Sequence, residues 1–247
     1  MRIFCNMFRP WTGLLAVLLV AGCGGGGGGD RSADGQPFPV TITGSVSLDT
    51  TNSLSSDGGA AQSGTLTLVS DSKTSTAAFS DTPGLIAPGS SLSGTAVKSG
   101  DGIGAHFSMS GNSNGAPATT DGVFSDFAFD LHNPSATDTY RVTFRAMLTN
   151  LVSASGADAY AYGDLSFRDA GNNELYFSEH RVDTKTENAS NDLNADAPGD
   201  VFWIDLAPGA TYRFDALQRQ RGGTLSSGSY NADLDTFIKV QSVEKIT

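Results

Sequence analysis

Few stretches of this chain hold residue types that could do chemistry, and each makes a demand on its surroundings. "GNSNG" at residues 111–115 matches G-x-S-x-G, which would make Ser113 a nucleophile. That chemistry needs the serine on a strained turn between a strand and a helix, with an acid and a histidine later in the chain. "AHFSMS" can supply the strand, but "APATTDG" follows, which is turn-forming and contains Pro117. Lacking the helix, the pattern reads as an Asn-rich hairpin turn. His106, His132 and His180 stand apart from one another, without the close spacing that a metal pair uses. They read as solvated or turn-bonded side chains. Paired catalytic carboxylates depend on a separation in space that no spacing encodes, so a hydrolase acting on glycans stays an alternative without named residues.

Two patterns point to binding. In "NASNDLNADAPGD", Asp192, Asn194 and Asp196 alternate as oxygen ligands do around calcium, which takes six to eight oxygens. The helical calcium-loop pattern fails, because counting from Asp192 its sixth position is Ala197 rather than Gly and its twelfth is Trp203 rather than Glu. A non-helical structural calcium site is one reading and an acidic, turn-rich surface loop the other. In "DAYAYGD", Tyr160 and Tyr162 fall on one strand face with Asp158 and Asp164, and Trp203 follows the acidic loop. Rings beside carboxylates suit a carbohydrate-contacting surface; rings packed into the core are the competing reading.

These residues need strands to position them. In "YRVTFRAML", Tyr140, Val142, Phe144, Ala146 and Leu148 alternate with Arg141, Thr143 and Arg145, a spacing that is clean on a strand and smears around a helix. The same alternation predicts inward Val40, Ile42, Val46 and Leu48, then Phe127, Phe129 and Leu131, Leu175 and Phe177, Tyr212, Phe214 and Ala216, and finally Ile238 and Val240. Clusters such as "SGDG", "DAGNN" and "LAPGA" separate them as turns, while residues 50–63, nearly all small and polar, read as a long loop or a weakly ordered segment. No segment carries a convincing amphipathic helix. The prediction is an all-β fold, an antiparallel, jelly-roll-like β-sandwich over residues 39–247.

Composition narrows the partners. The chain has 247 residues and a formal net charge of −11. No Lys/Arg cluster exists to meet phosphates, so nucleic acid is not expected as a partner. Cys5 and Cys23 are its two cysteines, and Cys5 lies in the apolar N-terminal segment. An internal disulfide in the sandwich is therefore ruled out.

That segment reads as an export signal. Arg2 and Arg9 precede the apolar run "LLAVLLV" at residues 14–20, which is far too short to span a bilayer. Residues 24–29 are six glycines, and residues 23–38 together read as a flexible tether reaching on the order of 20 Å. "VAGC", comprising Val20, Ala21, Gly22 and Cys23, resembles the lipobox of bacterial lipoproteins. The resemblance implies cleavage after residue 22 and lipidation (palmitate-type acylation) of Cys23, two or three chains giving a stable membrane anchor. Gly24 after the cysteine, rather than an aspartate, implies sorting to the outer membrane in that same pattern. Loss of Arg2 and Arg9 with the leader, which has no acid, would take the charge to about −13.

"FDLHNPSATDTYRVTFRAMLTN", "GADAYAYGDLSF" and "FIKVQSV" are similar to bacterial surface ectodomains that occur with interchangeable (choice-of-anchor) attachments. This second resemblance spans roughly residues 91–243, implies a β-sandwich displayed at a cell surface, and brings no catalytic residues. The ending "VEKIT" holds no hydrophobic tail, which leaves Cys23 as the expected anchor. Taken together, the expectation is a lipid-anchored, non-enzymatic structural or binding module of the cell envelope. Its expected partners are the membrane, through the lipid, and a polysaccharide or an envelope protein, including a docking role in an outer-membrane assembly.

Overall fold

A computed structural model describes residues 37–49, 54–56, 60–70, 73–81, 90–184, 193–194 and 200–247. Cys23, the glycine tether, Asp192 and Asp196 lie outside them. The described residues form strands and turns without a helix. In chain order the strands are β1 (Thr41–Asp49), β2 (Leu54–Ser56), β3 (Ala61–Ser70), β4 (Lys73–Asp81), β5 (Ser91–Ala96), β6 (Gly102–Asn114) and β7 (Ala118–His132). There follow β8 (Tyr140–Gly156), β9 (Ala159–Asp169), β10 (Glu174–Asp183), β11 (Leu193–Asn194), β12 (Asp200–Leu206), β13 (Thr211–Thr224) and β14 (Ser227–Lys245).

They build two antiparallel sheets packed as a β-sandwich, as the alternation predicted. One sheet runs β10-β9-β13-β7-β1-β5, with β2 also on β7; the other runs β11-β8-β14-β6-β3-β4, with β12 also on β8. From β5 to β9 and from β12 to β14 each strand crosses to the opposite sheet, so sequence neighbours face each other across the core. Val142, Phe144, Ala146 and Leu148 are buried, as are Ile42, Val46, Phe127, Phe129, Leu131, Phe214, Ala216, Ile238 and Val240. Phe129 stacks on Phe214 at 4.7 Å between centroids, and Phe144 meets both edge-on at 5.4 and 5.0 Å, joining the two sheets.

Several expectations are corrected. Phe177 is 47% exposed, because on β10 the buried phase is carried by His180 and Val182. A register shift between Glu174 and Tyr176 sets that phase, and a bulge moves side chains to the other face. His180 is accordingly buried rather than solvated. His106 lies on β6, its Nε2 3.1 Å from Asp233 Oδ2. Residues 50–63 are not one long loop: β2 pairs with β7 there, and β3 begins at Ala61.

"GNSNG" is not a hairpin turn either. Ser113 sits near the end of β6, and the chain crosses through Gly115 (φ +102°) into β7 of the other sheet. The hydroxyl of Ser113 is directed at the carbonyls of Ala116 and Ser226, the latter at 2.9 Å. A serine that closes a strand crossing in this way is not on a nucleophile elbow.

Candidate functional site

β9 turns its odd-numbered residues, Ala159, Ala161, Leu165 and Phe167, into the core, so Tyr160, Tyr162 and Asp164 stand on the outer face. Register then dictates their neighbours. Across from Tyr162 lie Arg181 on β10 and Arg221 on β13; across from Asp164 lie Glu179 and Arg219; across from Tyr160 lie Asp183 and Gly223. All of these except Asp164 and Gly223 wall an open cleft of about 450 Å³. Arg219 continues into a neighbouring hollow of about 270 Å³ beside Phe177 and Leu217.

The two tyrosines do different things. The Arg219 and Arg221 guanidinium carbons lie 5.5 and 5.3 Å from the centroid of the Tyr162 ring, so its π-face is already engaged by cations. The Tyr160 ring lies over Gly223, where an added Cβ would come within 2.8 Å of it. Glycine at position 223 is therefore what lets this ring settle on the sheet.

The charges are arranged unequally. Arg219 binds Asp164 through Nε at 2.8 Å and Nη2 at 2.7 Å, with the Asp164 side chain 5% exposed. Burial pushes the Asp164 carboxyl above the usual range, and Arg219 pulls it part of the way back. Burial likewise raises the Tyr162 phenol, against the two arginines. Arg181 reaches Asp183 at 3.5 Å. Arg221 makes no salt bridge among the described residues, and its enclosed Nε has no hydrogen-bond partner. Packing on Tyr162 holds its guanidinium, and Asp164 acts on it through space without a salt bridge.

Trp203 is elsewhere. It is 57% exposed on β12, on the outer face of the other sheet, with the Arg141 guanidinium carbon 5.1 Å from its ring centroid. Arg141 in turn grips Asp205 with two 2.8 Å hydrogen bonds, and this holds the Asp205 carboxyl below its ordinary range. The two tyrosines are thus brought together, and Trp203 is not part of their site. Of the calcium candidates, Asn194 pairs with Asn150 in the two-residue strand β11, while Asp192 and Asp196 fall outside the described residues. Among the described residues no cluster of three His, Cys, Asp or Glu side chains could hold a metal.

Arg181, Arg219 and Arg221 are functional candidates that sequence reasoning missed. Arg219 and Arg221 belong to "LQRQRGG", where Gln218 and Gln220 are the inward residues and break the apolar alternation. The alternation of Gln with Arg was the available signal.

Position along the sheet completes the geometry. The chain enters the sandwich at Thr41, whose register partner His132 is also that of Thr211; Tyr160 registers with Gly223 and thence Thr119, at the other end of the same strands. Thr211 to Gly223 spans about 40 Å at strand rise. A second hollow, about 500 Å³, lies at the entry end beside Thr41, His132 and Arg213. There Arg213 is taken up by Asp215 at 2.9 Å and Asp130 at 3.3 Å.

No family model and no curated protein matches this chain. Among solved structures it is aligned with the VP2 subviral particle of infectious bursal disease virus at 9% identity, over 82% of this chain and 62% of that one, with a TM-score of 0.16. A D431N mutant of the same VP2 protein aligns at 10% identity over 85% of this chain and 63% of that one, also at 0.16. The chain thus spans less than two thirds of the length of these capsid chains, and scores so low carry no argument about fold or function.

Proposed function

We propose that this protein is a lipid-anchored, non-enzymatic binding module of the cell envelope whose cleft at Tyr160, Tyr162 and Arg221 contacts a polysaccharide. The observation that carries the reading is the cleft itself: the Tyr160 ring over Gly223 beside a guanidinium that makes no salt bridge among the described residues, open to solvent on the outer face of the sheet. Aromatic surface next to hydrogen-bonding groups is what a sugar ring and its hydroxyls use.

The place of the cleft supports the anchor reading. A tether leaving the sandwich before Thr41 and ending in a lipid at Cys23 would hold the entry end toward the outer membrane and turn the cleft away from it. Hydrolysis has less behind it, because Asp164 is bound by Arg219 and Asp183 is reached by Arg181.

The test of the site is retention on immobilised polysaccharides from bacterial envelopes. Tyr160→Ala should lower retention at least tenfold with the melting temperature unchanged; full retention by that variant removes the cleft from the proposal. The anchor has its own test. Cys23→Ser should move the protein from the membrane to the soluble fraction, and a variant that stays membrane-bound ends the lipoprotein reading.

A further inference from the structure

Within that reading, on which the following rests, the cleft also carries information about the charge of its ligand. We infer that it selects an acidic polysaccharide, one whose sugar carboxylate is met by Arg221. Three observations converge on that arginine. Its guanidinium is held by the Tyr162 ring at 5.3 Å rather than by an acid, while its two neighbours Arg219 and Arg181 already have carboxylates at 2.7 and 3.5 Å. Its Nε is enclosed without an acceptor, while the side chain lines the cleft.

The third observation lies in the adjoining strand. The β13–β7 register shifts between Gln220 and Gly222, so that Asp121 and Gly122 together face Arg221. Gly122 has φ +116°, and a Cβ there would lie 3.4 Å from Arg221 Cγ. A glycine-containing bulge that re-aims a neighbouring side chain is a device found beside binding sites. Here it turns β7 at the one arginine of the cleft that makes no salt bridge among the described residues.

A planar carboxylate matches a guanidinium fork with two parallel hydrogen bonds, strengthened where water is partly excluded. The opposite wall, β10, offers Glu179, which accepts hydrogen bonds from hydroxyls and repels a second negative charge, beside the Arg181–Asp183 pair. The cleft therefore suits a sugar with one carboxylate toward β13 and hydroxyls toward β10. Because the whole chain is acidic at −11, the recognition is local rather than a long-range attraction of polyanions.

Polygalacturonate and its methyl ester make the test, since esterification removes the charge and keeps the ring. Binding of the full chain in detergent to each is measured by calorimetry, with poly-glutamate as a third ligand. The expected result is binding to the acid form about tenfold tighter than to the ester, with Arg221→Gln abolishing the preference and Arg221→Lys keeping part of it. Equal binding of acid and ester, both lost in Tyr160→Ala, overturns the charge inference and leaves the glycan reading standing. Binding of neither polysaccharide overturns both. Poly-glutamate bound as tightly as polygalacturonate overturns the inference in favour of an acidic peptide, and an undiminished preference in Arg221→Gln removes the arginine from it. The acid-against-ester comparison needs no variant, so a folding defect in any of them leaves the inference exposed to refutation.

Discussion

At the scale of single residues, Asn133 and Tyr230 make the sharpest demands. Asn133 is fully buried; its Nδ2 donates to the carbonyls of Asp138, Leu206 and Ala207 at 2.8–3.0 Å, and its Oδ1 accepts from the Ser135 amide at 3.0 Å. One side chain thus ties the loop after β7 to the turn between β12 and β13. Asn133→Ala should cost about 2–3 kcal/mol, read as a lower urea midpoint, because several buried carbonyls lose their donor. Tyr230 is 2% exposed, and burial pushes its phenol from the ordinary 10 up to about 12, with Thr120 offsetting part of the shift. A raised folded-state value means a contribution intact below pH 10 and lost as pH rises toward 12, worth on the order of 2 kcal/mol. Tyr230→Phe should flatten that alkaline limb in melts taken across pH 9 to 12; an unchanged limb would assign it to other groups. Tyr160 and Tyr162 were legible in the sequence because a two-residue interval fixes a shared face. What each ring does was not, since Gly223 and the arginines arrive from a strand some sixty residues away.

At the scale of elements, the strands outrun their apolar patterns. β13 continues past Ala216 to Thr224 because the inward Gln218 and Gln220 reach backbone carbonyls across the core, Leu234 O at 3.1 Å and Phe107 O at 3.3 Å. Alternation of apolar residues locates Tyr212, Phe214 and Ala216, but it has no rule for a buried amide that finds its acceptor on the opposite sheet. Glycines solve the complementary problem on facing strands. The Tyr230 ring occupies the space left by Gly111 on β6 and Gly222 on β13, where an added Cβ would sit 2.2 Å from the ring in either case. Gly222→Ala should therefore destabilise the sandwich by about 1–3 kcal/mol. Combining it with Tyr230→Leu should recover part of that loss in thermal melts, and strictly additive losses would show that the ring is not what the methyl strikes. The β9–β10 hairpin was legible as "DAGNN": Asp169 accepts from the Asn173 amide at 2.8 Å, and Asn172 takes φ +63°. The bulge that follows it was not, and with it went the facing of Phe177 and His180.

At the scale of the whole molecule, the sandwich has two ends and two outer faces, and they are not equivalent. The cleft lies on the β10-β9-β13 face toward the far end, whereas Trp203 lies on β12, on the other face and in the half where the chain enters. Mutating the two places should therefore separate: Trp203→Ala should leave polysaccharide retention within about twofold of the parent while Tyr160→Ala abolishes it. Equal losses in the two would mean that a ligand wraps both faces. Strand pairing here joins segments far apart in sequence, β1 to β7 and β7 to β13, so loop-closure entropy precedes any gain from the core. Refolding after dilution from urea should accordingly fall in the millisecond-to-second range or slower, and microsecond folding would contradict this topology.

The sequence by itself determined the class of fold and the faces of its best strands, because a two-residue period and turn chemistry are local properties of the chain. It also determined the lipobox resemblance at Cys23, carried by four adjacent residues. Tertiary structure alone decided which residues meet. It set Arg219 and Arg221 beside Tyr162, sent Trp203 to another face, and left Arg221 without a salt bridge among the described residues. Those outcomes follow from strand register and sheet order, which are fixed by how the two sheets share a core and are written in no single stretch of the chain.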